Sequence, residues 1–324
     1  MDIISFISKR FWVLGLLFVV LVALAALPLY ASSYWVVRFT AILMYILLTA
    51  SWATFSGPSG YMSLATAAFF GVGVYTSALL GKALPLQLVI VIGGLASFCL
   101  GLLVGALTLR LRGIYFAVFT FGLVLLIQRF LLWLEMTVMR TRGRILDPVA
   151  DNTIYYIMLA IFVATLLTAW LIGRSKFGLA LKSIGENEEA ASHTGVNVTL
   201  VKIITFAISA VFMGAAGAIM APKWVYIDPY IAFNVLLSFI PVLMAIFGGL
   251  GQLYGPIIGA ALFAYLQQEL QESEFSEYYL FIFGGILVVA IAFMPSGLVG
   301  LIQKLIQLIQ KWRKGGTAEQ NANT

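Results

Sequence analysis

Long apolar runs, separated by short polar or glycine-rich gaps, fill most of the 324-residue chain. A helix that crosses a bilayer needs roughly 20 mostly apolar residues. Ten runs come close to that length or reach it: residues 11–28, 35–55, 61–81, 86–109, 113–134, 154–173, 203–221, 233–249, 257–270 and 279–299. They are continuously apolar rather than alternating, which predicts helices and not the strands of a barrel. The expected fold is all-α: a polytopic membrane protein with about ten transmembrane helices spread over residues 1–300. One stretch departs from the pattern. Residues 174–202 read RSKFGLALKSIGENEEAASHTGVNVTLVK, and a segment this polar between two apolar runs belongs in water.

Inside that loop, residues 178–195 combine Leu179, Ala180, Ile184, Ala190 and Ala191 with acidic Glu186, Glu188 and Glu189. The pattern predicts a short amphipathic helix, kinked or split at Gly185 and ended by Gly195. Such a helix suits a groove on a partner protein; a solvated surface loop is the alternative. Two uncharged glycine-rich segments also stand out, SGPSG at 56–60 and GGLGQLYGP at 248–256. Either they are corresponding breaks of an internal duplication beside a permeation path, or they are tight turns followed by closely packed helices. The first reading makes Gly57, Gly60, Gly249 and Gly251 shape the path, with Thr66, Thr120, Ser209, Asn234 and Ser238 as polar residues along it. Residues 301–314 repeat apolar positions in a basic amphipathic pattern, as in a helix lying on the inner membrane surface. Residues 315–324 are polar and expected to be disordered.

Composition agrees, with 62% hydrophobic and 10% charged residues, more apolar surface than a water-soluble globule can cover. With the N-terminus inside, ten spans return the C-terminus to the cytoplasm, and twelve of the 19 basic residues then face inward, among them Arg110, Arg174, Lys182 and Lys202. That is the bias that cytoplasmic loops show. The loop at residues 135–152 fits less well, because it carries three arginines outside. The net charge of +6 is explained by these loops and calls for no nucleic acid. The first run follows Lys9 and Arg10 like a signal peptide, but nine more runs follow, so an uncleaved span is expected.

The span interiors hold almost no ionisable groups. Arg38, Arg129 and Glu269 fall near predicted ends, where long side chains snorkel to the interface. Proton- or sodium-coupled carriers more often bury a carboxylate, so the energy for pumping is expected from outside the chain. Enzymatic chemistry has no foothold: His193 is the sole histidine, Cys99 the sole cysteine, and neither a nucleophile elbow nor a phosphate-cradling loop is present.

Five stretches, in order and spacing, resemble one family. They are residues 60–80 (GYMSLATAAFFGVGVYTSALL), 109–120 (LRLRGIYFAVFT), 175–221 (from SKFGLALKSIGENEEAASHTG onward), 247–261 (FGGLGQLYGPIIGAA) and 293–300 (FMPSGLVG). They are similar to the permeases of high-affinity branched-chain amino acid importers, the LivM type, and Glu189-Ala190-Ala191 followed by Gly195 resembles the loop by which such permeases engage their ATPases. The resemblance implies an ATP-binding-cassette importer permease fold with a cytoplasmic coupling helix in the loop 174–202, in the bacterial inner membrane with both termini cytoplasmic. Coupling would fall to Glu186, Asn187, Glu189, Ala190, Ala191 and Gly195. The implied partners are a second related permease, two cytoplasmic ATPases that hold ATP and magnesium, and an extracytoplasmic solute-binding protein; this chain would bind no cofactor. Branched-chain or other hydrophobic amino acids are the implied cargo, with urea, short amides or aromatic acids as alternatives, and an ion-gradient-driven carrier as the reading from another class. Two departures bear on the cargo. MRTRGRILDP at 139–148 replaces a glycine-rich outer loop, so its arginines meet the binding protein, an anionic solute or structural acidic partners; and Leu64-Ala65-Thr66-Ala67 stands where the family more often has a polar step.

Overall fold

The computed structural model describes residues 19–111, 113–250, 254–274, 276–293 and 297–301. The helices are α1 Val19–Tyr30, then α2 Ser33–Ser59, α3 Thr66–Leu80, α4 Leu86–Thr108, α5 Ile114–Leu134, α6 Asp151–Arg174, α7 Lys176–Glu186, α8 Glu188–His193, α9 Val198–Trp224, α10 Pro229–Ala232, α11 Leu236–Gly248, α12 Tyr254–Glu272 and α13 Tyr279–Phe293. A π-helical turn, Glu135–Met139, extends α5. Two short strands, β1 Arg144–Ile145 and β2 Tyr226–Ile227, pair antiparallel.

Six segments among the described residues are long and apolar enough to cross a membrane: Ser33–Ser59, Leu86–Thr108, Ile114–Met139, Asp151–Arg174, Val198–Trp224 and Pro229–Gly248. They correspond to six of the ten expected runs. The other four differ for identifiable reasons. Run 11–28 lies partly outside the described residues; run 61–81 becomes helical only at Thr66; α12 ends in the polar sequence QQELQE; and run 279–299 is described as helix to Phe293. The amphipathic tail falls outside the described residues beyond 301.

Successive spans alternate between two ends of the bundle. α7 and α8 cap one end, where α2 finishes, α9 begins and α11 finishes. The opposite end holds the start of α2, the 139–148 loop and the end of α9. A 27-residue helix such as α2 or α9 is about 40 Å long at 1.5 Å per residue, so each reaches from one end to the other.

α9 is the centre of the packing, against α3 and α4. Bilayer helices gain little from apolar burial against one another and rely on close van der Waals fit through small residues. Gly73 and Gly214 supply it: a Cβ on Gly73 would fall 1.8 Å from the Gly214 carbonyl oxygen, and one on Gly214 would fall 2.1 Å from the Ser97 hydroxyl. Ser97 in turn donates to the Phe69 carbonyl at 2.9 Å. By contrast, Gly284 and Gly285 meet nothing within 4 Å in this chain. Toward the α7–α8 end an aromatic cluster fills the space between α2, α3, α5 and α9. Phe206 lies 5.1 Å from Phe55, 5.3 Å from Phe69 and 5.9 Å from Phe116, centroid to centroid.

At the opposite end Arg38 does not snorkel to water as expected but is buried. It pairs with Glu269 at 2.5 Å and Glu272 at 3.4 Å, and its guanidinium stacks on Trp35 and Tyr265. The α12 carboxylates, themselves 46% and 40% exposed, reach the covered guanidinium from the surface and neutralise it.

Gly214→Ala is expected to lower stability by about 1–3 kcal/mol, since the Cβ drives into the neighbouring helix. Gly122→Ala, where nothing lies within 4 Å, serves as the control that leaves the thermal midpoint in detergent undiminished.

Candidate functional site

The polar loop folds as two helices, not one. Ser175 opens α7 by accepting the Gly178 N–H, and Asn187 opens α8 by accepting the Glu189 and Ala190 N–H groups at 3.0 Å each. The split therefore falls at Asn187 and not at Gly185, because an extended Asn backbone with its side chain folded back satisfies the free donors of a new helix start. Gly185 stays helical and serves contact instead: a Cβ there would lie 2.2 Å from the Pro58 carbonyl oxygen. The end is as expected. Gly195 has φ +85°, its N–H donates to the Ser192 carbonyl, and the Val196 N–H donates to the Ala191 carbonyl, the pair of hydrogen bonds of a left-handed glycine terminus.

The pair has a buried underside and an exposed face. Leu181, Ile184 and Ala191 pack with Val201 of α9 in a small core of their own. Glu186, Asn187, Glu189, Ala190 and Gly195 are exposed, as is Leu179, at 65%.

Beneath α8 lies a buried lysine. Lys202, in the first turn and a half of α9, is 2% exposed. Its ammonium donates to Glu188 Oε1 at 2.8 Å, to the Leu109 carbonyl at 3.0 Å and to the Tyr61 hydroxyl at 3.1 Å. A lysine has three N–H donors, and all three are used. Tyr61 donates onward to Glu188 Oε2 at 2.5 Å, so one carboxylate ties both. A cation near a helix N-terminus opposes the helix dipole, and a buried charge is tolerated only when paired and fully hydrogen-bonded. Both conditions are met by partners from α8, from the end of α4 and from the segment after α2.

That segment, residues 60–65, is the second notable feature. α2 runs through SGPSG to Ser59 with Pro58 inside it, and the chain turns at Gly60 with φ +72°. The glycine-rich segment is therefore helix with a terminating glycine rather than a loop throughout. The backbone then stays irregular until Thr66, leaving α3 at 15 residues, about 22 Å long and short for a crossing. Irregular backbone at membrane depth is tolerated only where protein surrounds it. Here Trp52 Nε1 donates to the Ser63 carbonyl at 2.7 Å, Thr120 Oγ accepts the Leu64 N–H at 3.0 Å, and Ser238 Oγ accepts the Ala67 N–H at 3.4 Å.

A cleft of about 450 Å³ opens at the α7–α8 end between these parts. Gly57, Gly60, Gly185, Glu186, Leu250 and Pro256 border it, so the two glycine-rich segments meet there with the polar loop.

Against this geometry, the family model described as branched-chain amino acid transport system / permease component matches residues 35–291. The chain belongs to that permease family. High-affinity branched-chain amino acid transport system permease protein LivM of Salmonella typhimurium is 28% identical over 337 residues, covering 93% of this chain and 78% of that relative. LivM of Escherichia coli K12 is 28% identical over 333 residues, with 92% and 77% covered. The permease LivH of Escherichia coli K12 is 27% identical over 144 residues, 44% of this chain and 46% of that relative. No solved structure matches the chain significantly. The chain is thus a LivM-type transport permease of several membrane crossings, and not an enzyme.

Within this permease the sequence-predicted residues separate into groups. Of the coupling set, Ala191 faces inward and the other five face out. Thr66, Thr120 and Ser238 converge on the start of α3, all fully buried. Gly57, Gly60 and Gly249 lie at the α7–α8 end, and Gly249 ends α11 with φ +99°. Ser209 is buried, its carbonyl accepting from Ser51 at 2.6 Å. Asn234 stands apart, exposed before α11, where it accepts the Leu236 N–H. Gly251 lies outside the described residues. In the arginine-rich loop, Arg142 approaches Asp228 at 3.7 Å and its guanidinium lies over the Tyr230 ring, while buried Glu135 accepts from Tyr75 and from the Gly143 N–H. Arg129, on α5, donates to the Tyr230 hydroxyl at 3.1 Å, so the contacts that Arg142 makes are structural.

Sequence reasoning missed Lys202, Tyr61 and Glu188 as a unit. Lys202 read as one more inward-side basic residue and Glu188 as surface charge, and 141 residues separate Tyr61 from its lysine. The available signal was a charge inside the first turns of an apolar helix.

Glu188→Ala strands the Lys202 ammonium and is expected to destabilise the protein by about 3 kcal/mol. Lys202→Met removes the buried charge and should cost less; thermal denaturation ranks the two. Asn187→Ala removes the α8 cap, a loss of about 1 kcal/mol, read as faster hydrogen exchange at Glu189 and Ala190.

Proposed function

We propose that this permease is one of two membrane subunits of an ATP-binding-cassette importer that carries branched-chain or other hydrophobic amino acids into the cytoplasm. The observation that carries the reading is the α7–α8 pair, exposed on one face and tied by its other face to the membrane helices. A helix pair of this kind suits a groove on a cytoplasmic ATPase. In this reading Glu186, Asn187, Glu189, Ala190 and Gly195 form or shape the contact, and Ala191 anchors it from beneath. Two ATPases bind ATP and magnesium, and this chain binds neither.

The relatives LivM and LivH are both permeases of systems of the same name, which supports a second, related permease as partner. A solute-binding protein delivers the amino acid at the opposite end, beside the 139–148 loop. Both termini are cytoplasmic, about ten crossings are made in total, and the polar loop lies on the ATPase side. The path borders Thr66 at the start of α3, where Thr120 and Ser238 hold the backbone, and leads past Gly249 toward the cleft bordered by Gly57 and Gly60. ATP binding draws the ATPases together and moves the α7–α8 pair with them, shifting the spans between two openings.

Affinity purification of the tagged chain from its native membrane, followed by ATPase measurement with amino-acid-loaded binding protein, tests this. Two ATPases and a second permease are expected to co-purify, with hydrolysis stimulated by leucine-like solutes. Isolation of the chain alone, with gradient-driven uptake into liposomes, overturns the reading. Gly195→Pro and Glu189→Arg should each abolish uptake while the helical circular dichroism is unchanged; normal transport by either removes the coupling assignment.

A further inference from the structure

We infer that the Glu188–Lys202–Tyr61 trio is the element that transmits displacement of α8 to the membrane helices. This rests on the reading of α7–α8 as the ATPase contact. The packing between α8 and α9 is otherwise slight: the small core under the pair is Leu181, Ile184, Ala191 and Val201, with Ala180, Val196 and Val198 against it, all apolar contacts without a directional bond. The Lys202 ammonium is different, because its three directional bonds end on three separate elements. Glu188 is the first residue of α8. Leu109 caps the end of α4. Tyr61 lies in the irregular segment that leads into α3, and its ring also sits 4.5 Å from the ammonium.

The geometry also prevents the trio from giving way gradually. Moving Glu188 off Lys202 leaves an unpaired ammonium at a site with 2% exposure, which is strongly disfavoured, so α9, the Leu109 carbonyl and Tyr61 follow α8 instead. Tyr61 packs edge-on against Phe116, 5.6 Å between centroids, and Phe116 joins the Phe55–Phe69–Phe206 cluster. A pull on Tyr61 therefore reaches α5 and the start of α3, where Thr120 and Ser238 hold the backbone. Lys202 and Tyr61 act as positioning residues. They carry motion from the α8 contact to the break before α3 and touch neither ATPase nor solute in this scheme.

The test uses the intact transporter purified with its partner subunits, with hydrogen exchange followed by mass spectrometry with and without ATP plus orthovanadate. In the unaltered protein, trapping should change exchange at α8 and at residues 61–66 together. In Lys202→Met, the change at α8 and the rate of ATP hydrolysis should persist, while the response at residues 61–66 falls by about tenfold, the size of an ordinary coupling between sites. Tyr61→Phe, which keeps the buried ion pair, should weaken that response in the same direction and provides the reading if Lys202→Met does not assemble. An undiminished response at 61–66 in the variants, or equal loss at both places, overturns the trio as the transmitting element while leaving the α8 contact intact. No response at α8 in the unaltered protein overturns the ATPase contact itself, and the trio's role with it.

Discussion

Within a bilayer there is no water to complete a hydrogen bond, so every buried polar group must find its partner in the protein. The junction at the α7–α8 end gathers several such groups, and among them the Lys202 ammonium and the backbone of residues 63–67 find protein partners, while the Thr66 hydroxyl does not. A buried ammonium, a helix ending in Gly60, a backbone without regular structure over residues 60–65 and the bare start of α3 all lie within one small region. Side chains from α2, α5, α8, α9 and α11 settle these demands together: Trp52, Thr120, Glu188, Lys202 and Ser238 each supply a bond that no local backbone group provides. Removing any of these side chains leaves its partner in the junction unsatisfied.

What lies above the junction is built to move little internally. α9 meets α3 and α4 through glycine contacts tighter than any side chain would permit, and close-packed interiors resist gradual deformation. At its far end α9 is tied again, with the Lys223 ammonium donating to the Val37 carbonyl of α2 at 3.3 Å. α2 is held there by Arg38 against α12. Two 27-residue helices fixed at both ends suit rigid-body displacement between discrete arrangements, the usual form of such transitions.

The opposite end carries a different chemistry. The 139–148 loop is pinned by the β1–β2 pairing and by the bond from Leu146 N–H to the Val225 carbonyl. Asp228 both caps α10, accepting the Ile231 N–H, and faces Arg142. Of the loop arginines, Arg142 is thus held by the fold through Asp228 and the Tyr230 ring.

The sequence by itself determined the membrane class, the mainly helical fold, the positions of six long spans, the polar loop and its terminating Gly195, and the permease family. These are properties of composition, of apolar run length and of short local motifs, each confined to neighbouring residues. Where α3 begins, why Pro58 lies inside α2, which side of α8 is buried and what neutralises Lys202 were decided only in three dimensions. Apolar content is the same whether residues 61–65 are helical or not, and their state depends on hydrogen bonds from Thr120 and Trp52. Gly185 looked like a helix breaker because its lack of a side chain was read locally; its use is to let the Pro58 carbonyl approach. Arg38 looked like a snorkelling residue because Glu269 lies 231 positions away along the chain. Pairings across such separations leave no periodic trace in a single sequence, since the partners are chosen by packing and by the absence of water rather than by spacing.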